Sequence, residues 1–328
     1  MPPNSPSIFL HILSISQFFG VFINLFQLLI LFQKELRSNA IYRLMTWICL
    51  FDILSQASTF LTFSPFWIRE TDDGCFVTRT YQDILFYFYG MVSFEVFQRV
   101  STWLAVTIGI FEVMKSSKKT KTLSTVLALL LLSIVWTYLV YFQNEVEQMS
   151  SDKDCSGTQI QLSELRFSLV VVEKHKRLYD RIQNIDKVVK ILPVILEMIL
   201  LFVMIKNEKE TCKEDQLKRE NIARLIIIFT VPYILTGLPN TVVDILKALI
   251  PENPVTVSLA QYINILPVLN SISHFFICIL VSPQCQNGLR ILFGKRPRTD
   301  HVVQVAMASK RNSVIPQDDV SGFAFTIE

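Results

Sequence analysis

The sequence predicts an all-α membrane protein: a seven-transmembrane helix bundle with its N-terminus outside, its C-terminus inside and a short amphipathic eighth helix. Three observations support this prediction. Of 328 residues, 51% are hydrophobic and only 18% are charged, which is more apolar surface than one globular core of this length can hide. The apolar residues form seven blocks, each of roughly 20 to 26 residues, about the length that crosses a ~30 Å hydrocarbon layer as a helix. Basic residues gather in alternate loops between the blocks.

The predicted spans are residues 8–32, 41–67, 84–111, 123–142, 188–205, 222–246 and 258–281. Backbone groups in lipid must pair internally, so each block is expected to be a helix. The segment "MPPNSPS" before the first block has no basic region and no cleavage pattern. We therefore expect the first block to be a retained helix and not a removable signal peptide.

Basic residues near the ends of the spans set the orientation. With the N-terminus outside, the inner loops hold Lys34, Arg37 and the basic segments 115–121 and 206–219, and the tail adds four more bases. The long connection 143–187 also carries bases, but it is equally rich in acids, and long loops constrain orientation less. The net charge of +3 is then mostly a feature of the cytoplasmic rim and implies no nucleic-acid partner.

Topology sorts the six cysteines. Only Cys75, before the third span, and Cys155, in the long loop after the fourth, face the oxidising side. A disulfide between them is the expected arrangement, and two unpaired exposed thiols are the alternative.

Away from the ends of the predicted spans lie five ionisable residues: Asp52, Glu95, Arg99, Glu197 and His274. Such groups are costly in lipid and are expected to face the bundle interior. Glu95 and Arg99 lie one helical turn apart in "FEVFQRVSTWLAV" and can neutralise each other. Two interpretations are open: an internal ion pair that locks helices together, or a pair in which one member contacts a ligand.

Asp52 lies deep in the second span, with Ser101, Asn270 and Ser271 as oxygen-bearing partners. A buried hydrogen-bond network and a monovalent-cation site require the same residue types. Both interpretations stay open, and no other cofactor or metal is expected. Pro193, Pro239 and Pro267 fall in the last three spans and are predicted hinges.

Seven spans with this pattern of Asp, Pro and outer cysteines resemble a rhodopsin-type G-protein-coupled receptor. More narrowly, "QRVSTWLAV", "GLPNTV" and "LNSISHFFICILVSPQ" are similar to the nematode class W serpentine receptors, a chemoreceptor-like family related to FMRFamide-type peptide receptors. The resemblance extends over about residues 20–284.

The resemblance assigns Asn24, Asp52, Ser101, Asn270 and His274 to a central polar network, and Ser271, an expected partner of Asp52, completes the predicted network. His274 stands where most rhodopsin-type receptors have the Asn of Asn-Pro-x-x-Tyr. Phe111, Glu112 and Val113 replace the Asp/Glu-Arg-Tyr motif that engages the G protein. Gly237 replaces the usual Trp of the sixth span.

The resemblance implies a non-enzymatic receptor in the plasma membrane of sensory or other neurons. Its extracellular ligand would be a neuropeptide or a small chemosensory molecule, and its intracellular partner a heterotrimeric G protein. A ligand-facing acid would suit a basic, amidated peptide, and the candidates are Glu95, Asp83 and Asp244. The loop between the fourth and fifth spans is long enough to form a lid, and its segment 165–173 has β character.

Four parts are expected: a short extracellular N-terminus (1–7), a seven-transmembrane receptor domain (8–284), an amphipathic membrane-surface helix (285–298) and a disordered cytoplasmic tail (299–328). Ser313 in "SKRNS" is a phosphorylation candidate.

A transporter or channel that uses the intramembrane charges is the main alternative function. It predicts internal repeats and glycine-interrupted helices, whereas the chain has an odd number of spans and only 9 Gly. A seven-helix enzyme would need a metal-ligand cluster, and no such spacing is found in the sequence.

Overall fold

The computed structural model describes residues 5–37, 39–68, 81–114, 122–149, 166–171, 175–210, 217–250, 255, 259, 262–263 and 265–294. The helices are α1 (Ser5–Leu31), α2 (Lys34–Arg37), α3 (Ala40–Ile68), α4 (Tyr81–Val113), α5 (Thr122–Tyr141), α6 (Lys176–Glu210), α7 (Leu217–Leu249), α8 (Leu266–Val281) and α9 (Pro283–Leu292). Two strands, β1 (Asn144–Met149) and β2 (Arg166–Val171), lie between α5 and α6.

Six described helices are long and apolar enough to cross a membrane: α1, α3, α4, α5, α6 and α7. Helix α8 has only 16 residues. Taken together with α9, it is long and apolar enough to cross a membrane, although the two helices meet at an angle of 96°. Large apolar side chains point outward, with Phe18, Phe202 and Leu280 exposed to 72%, 71% and 74%. Such a surface is stable against lipid and not against water. The chain is therefore a seven-helix membrane bundle with a short C-terminal helix, which confirms the predicted fold class.

Helices α3 and α4 approach each other closely at Gly90. A Cβ at this position would lie 3.1 Å from the Ser58 carbonyl oxygen and would overlap Thr62 Oγ1. Small residues let membrane helices pack backbone against backbone, where dispersion contacts replace the hydrophobic effect. Glycine at position 90 therefore sets the spacing of this helix pair.

Helix α6 departs most from the predicted spans. The sequence places residues 176–187 in the outer loop because they are rich in charges, but the helix begins at Lys176 and runs to Glu210. The additional turns carry Asp186, which is only 4% exposed, into the bundle. The predicted boundary of the fifth span is therefore wrong at its N-terminal side.

The loop between α5 and α6 contains an antiparallel hairpin. Its strands pair from Asn144 with Val171 to Met149 with Arg166. The β character predicted for residues 165–173 is found in β2, whereas the partner strand "NEVEQM" is not predicted from the sequence.

Helix α9 and the preceding Ser282 are tied to the start of α3 and to the segment that follows α1. The Tyr42 hydroxyl lies 2.8 Å from Ser282 Oγ and also bonds the Gln284 side-chain oxygen. Ser282 Oγ accepts from the Cys285 amide at 3.2 Å and so caps α9. Gln33 Nε2 donates to the Gly288 carbonyl oxygen. These contacts hold α9 at its sharp angle to α8.

Two of the predicted proline hinges lie inside helices, Pro193 in α6 and Pro239 in α7, and α7 also contains Pro232. Pro267 is different because it is in the first turn of α8. A proline there removes no intrahelical hydrogen bond. The structure therefore gives Pro267 the position of a helix start and not that of an interior hinge.

Candidate functional site

A cavity of about 320 Å³ opens between the helices and is called here the central cavity. Tyr87, Met91 and Asn240 line its outer part, and Asp52 and Ser101 line its deep part. Its wall is rich in side chains that both donate and accept hydrogen bonds, among them Gln17, Gln56, Gln98, Thr59 and Thr236. Such a wall suits a ligand of mixed polarity, and the volume is within the range of small-molecule sites.

Four side chains at the deep end form a unit, the polar cluster, which comprises Asp52, Ser101, Tyr233 and His274. Ser101 Oγ donates to Asp52 Oδ1 at 2.6 Å and lies 3.5 Å from the Tyr233 hydroxyl. His274 Nδ1 lies 3.3 Å from Asp52 Oδ2, without the alignment of a hydrogen bond. The cluster therefore joins α3, α4, α7 and α8 at one level of the bundle.

Aromatic packing fixes the His274 ring. Its centroid is 4.1 Å from that of Phe229 and 4.8 Å from that of Tyr233, both on α7. His274 is 1% exposed, and its Nε2 has no hydrogen-bond partner in the described part of the chain. The imidazole therefore couples α8 to α7 by stacking and to α3 by its approach to Asp52.

The other predicted network residues lie next to this cluster. Asn24 Nδ2 donates to Ser271 Oγ at 2.6 Å and to the Gly20 carbonyl oxygen at 2.9 Å, which joins α1 to α8. Asn270 is 8% exposed, and its Oδ1 lacks a hydrogen-bond partner among the described residues. The structure thus brings the six predicted network residues to one region. Asp52 with Ser101 and Asn24 with Ser271 form two separate hydrogen-bonded pairs, whereas the ring nitrogens of His274 and Asn270 Oδ1 have no hydrogen-bond partner among the described residues.

The predicted Glu95 and Arg99 pair belongs to a larger group. Arg99 Nη2 is 3.5 Å from Glu95 Oε2, but only 2.8 Å from Asp186 Oδ1 on α6. The Trp136 indole Nε1 on α5 donates to the same Asp186 oxygen at 2.7 Å. Asp186 is therefore the stronger partner of Arg99, and it connects α4, α5 and α6.

Lys190 completes this group. Its Nζ lies 2.9 Å from Glu95 Oε1 and 3.3 Å from Asp186 Oδ2. Two acids and two bases, Glu95, Arg99, Asp186 and Lys190, thus form an electrically neutral charge cluster. The sequence does not predict the contacts of Asp186 and Lys190, because Asp186 falls in the predicted loop before the fifth span. The only available signal is their i, i+4 spacing in "IDKVVK".

Glu197 on α6 has a different environment. It lines the central cavity, is 3% exposed, and its Oε1 has no hydrogen-bond partner in the described part of the chain. It forms no ion pair among the described residues, in contrast to Glu95.

A comparison with protein families identifies the class. The model of the Serpentine type 7TM GPCR chemoreceptor Srw family matches residues 11–296. The chain belongs to this family. No curated protein matches it. Membership makes the chain a multi-pass membrane protein of the G-protein-coupled receptor type, in a family of receptors and not of enzymes.

Some predicted site residues do not line the central cavity, and others lie outside the described part of the chain. Asp83 is in the first turn of α4 and does not line the central cavity as the structure describes it. Asp244 is in α7, but nothing is described of its side chain. Cys75, Cys155 and Ser313 lie outside the described residues. The disulfide and the phosphorylation site therefore stay predictions.

The residues predicted to replace the Asp/Glu-Arg-Tyr motif lie at the end of a helix. Phe111, Glu112 and Val113 form the last turn of α4, and all three are half-buried. Gly237, which stands where most rhodopsin-type receptors have Trp, lines the central cavity. A Cβ at this glycine would lie 2.9 Å from Val194 Cγ2, so α6 and α7 are closely packed there.

Proposed function

We propose that this Srw receptor binds an extracellular neuropeptide or small chemosensory molecule in the central cavity and signals through a heterotrimeric G protein. Ligand binding shifts the population of bundle conformations toward one with an opened cytoplasmic face. The receptor acts at the plasma membrane of sensory or other neurons.

The observation that carries this proposal is the position of the polar cluster at the deep end of the cavity. Asp52 and Ser101 line the cavity and hydrogen bond each other between α3 and α4. Tyr233 lines the same cavity and packs against His274, with the two rings tilted by 32°. A ligand that contacts this wall changes the interactions of four helices at once, which is the differential contact that a conformational shift requires.

The experiment is expression in cultured cells with a promiscuous G protein and a calcium readout, against a neuropeptide panel and an odorant panel. Surface labelling verifies delivery to the plasma membrane, and mock-transfected cells provide the baseline. A calcium response to at least one compound is expected. Silence to both panels at verified surface expression, together with ion currents or substrate uptake, would instead establish a transporter or channel.

We also propose that a monovalent cation occupies the deep end of the cavity. The residues that would hold it are Asp52, Ser101, Asn270 and Ser271, all of which line the cavity, and the unpartnered Asn270 Oδ1 supports this assignment. Replacing sodium by N-methyl-D-glucamine is expected to lower the melting temperature of the purified receptor. The Asp52→Asn variant should lose this sodium dependence, and equal dependence in both forms would contradict the site.

A further inference from the structure

The wall of the central cavity is acidic. Three carboxyl groups line it, those of Asp52, Glu95 and Glu197, whereas no lysine, arginine or histidine among the described residues does so. A concave site lined by one sign of charge attracts ligands of the opposite sign.

Two of these three carboxylates already have partners among the side chains of the bundle. Glu95 has Lys190 Nζ at 2.9 Å and Arg99 Nη2 at 3.5 Å. Asp52 accepts from Ser101 at 2.6 Å and has His274 Nδ1 at 3.3 Å. Neither carboxylate therefore depends on a ligand for a favourable environment.

Glu197 is the third, and in the described part of the chain it has neither an ion pair nor a hydrogen bond to Oε1. It is 97% shielded from solvent, since its exposed fraction is 3%. Burying a neutral polar group without a hydrogen-bond partner costs roughly 2–7 kcal/mol, and burying an isolated carboxylate charge costs more. A buried, unpartnered acid on a cavity wall is the feature that a bound cation would neutralise.

We propose that the ligand of the central cavity carries a protonated or quaternary amine that pairs with the Glu197 carboxylate. The proposal rests on the proposed receptor function and adds the chemical class of the ligand. The cation is organic and not a divalent metal, because no group of three or more His, Cys, Asp or Glu side chains clusters in the described residues. Apolar wall residues such as Met91, Phe94 and Val268 contact the rest of the ligand.

The test uses purified receptor in lipid nanodiscs at constant sodium concentration. Three amines, phenethylamine, tyramine and choline, are each compared with a neutral isostere: 2-phenylethanol, tyrosol and 3,3-dimethyl-1-butanol. A ligand that binds only the folded state stabilises that state by RT ln(1 + L/Kd), where L is the free ligand concentration. The rise of the melting temperature with ligand concentration therefore yields an apparent Kd without G-protein coupling.

At least one amine is expected to raise the melting temperature while its neutral isostere does not. Glu197→Gln, which retains side-chain size and removes the charge, should weaken the apparent Kd of that amine by about 30-fold or more, as for loss of a buried charge partner. Asp180→Asn is the matched control, because it makes the same charge change on an exposed residue of α6. It should leave the Kd unchanged.

Three outcomes would overturn the proposal: no amine shifts the melting temperature, the neutral isosteres shift it equally, or Glu197→Gln binds as the unmodified receptor does. Circular dichroism verifies that Glu197→Gln folds. If it does not fold, Glu197→Asp, which keeps the charge, serves instead and should retain amine binding.

The two proposals fail separately. Amine binding without any calcium response refutes receptor signalling alone, and a calcium response to an uncharged ligand that survives Glu197→Gln refutes the amine class alone.

Discussion

Replacing Asp186 by Asn removes the charge that holds the charge cluster together. The substitution keeps the side-chain size and leaves an oxygen that accepts from Trp136. However, Arg99 loses its 2.8 Å partner, and its remaining carboxylate, Glu95 at 3.5 Å, is shared with Lys190 at 2.9 Å. The cluster changes from neutral to one net positive charge inside the bundle.

The magnitude follows from the burial of both partners. The Arg99 and Asp186 side chains are 7% and 5% exposed, so neither charge is well screened by solvent. Breaking a buried pair by removing one charge costs about 3–5 kcal/mol. For a chain of this size each kcal/mol corresponds to about 2 °C, so Asp186→Asn is expected to lower the melting temperature by about 6–10 °C.

A second substitution separates charge imbalance from general damage. Arg99→Met restores neutrality when it is combined with Asp186→Asn, because Glu95 and Lys190 then remain as a pair. The double variant should be more stable than the sum of the single effects predicts, by an interaction energy of about 1–3 kcal/mol.

The assay is thermal unfolding in detergent, followed by fluorescence-detected size exclusion, together with surface labelling of cells. Asp180→Asn, at an exposed site of the same helix, is the control and should change the melting temperature little. If Asp186→Asn melts within about 1 °C of the unmodified protein, a loss below about 0.5 kcal/mol, the cross-helix pairing is not a major stabilising interaction. Strict additivity of the two substitutions would also refute the reasoning.

Three further substitutions test individual contacts, and each is measured by the same thermal assay. Gly90→Ala should destabilise by about 1–3 kcal/mol, because its Cβ overlaps Thr62, and recovery by a second change, Thr62→Ala, would verify the clash whereas no recovery would contradict it. Tyr42→Phe removes a buried hydroxyl that bonds two groups at the start of α9 and should cost about 1–2 kcal/mol, with an unchanged melting temperature as the contrary result. Asn24→Ala loses the 2.6 Å hydrogen bond to Ser271 and should cost about 1–3 kcal/mol of stability. If Asn24→Ala costs the same stability in a Ser271→Ala background as in the unmodified protein, the bond contributes nothing.

The helices of the bundle are predictable from the sequence because lipid leaves the backbone few options. An apolar block of the length found around Ile48 or Leu104 must satisfy its own hydrogen bonds, so its existence and class follow from composition. The same logic identifies buried ionisable residues such as Asp52 as groups that face the interior. The structure agrees with this, since Asp52 lines the central cavity.

The contacts between helices are not predictable in the same way. Periodicity along one helix relates Glu95 to Arg99, but it carries no information about which residue of α6 lies opposite. The closer partner, Asp186, is part of a charged segment whose composition resembles that of an exposed loop, and its helical conformation depends on packing against α4 and α5. The sequence predicts that Glu197 faces the bundle interior, but whether its carboxyl group has a partner depends on the three-dimensional arrangement.

The charge cluster has a consequence for how the receptor is made. Glu95 with Arg99 on α4 and Asp186 with Lys190 on α6 are each i, i+4 pairs of opposite charge, separated by 3.5 Å and 3.3 Å. Each of these two pairs can therefore leave the translocon already neutralised and exchange partners only when the two helices meet, to gain the shorter contacts of 2.8 Å and 2.9 Å. The two pairs then add no net charge to the lipid during biogenesis, and the exchange of partners fixes the axial register of the two helices.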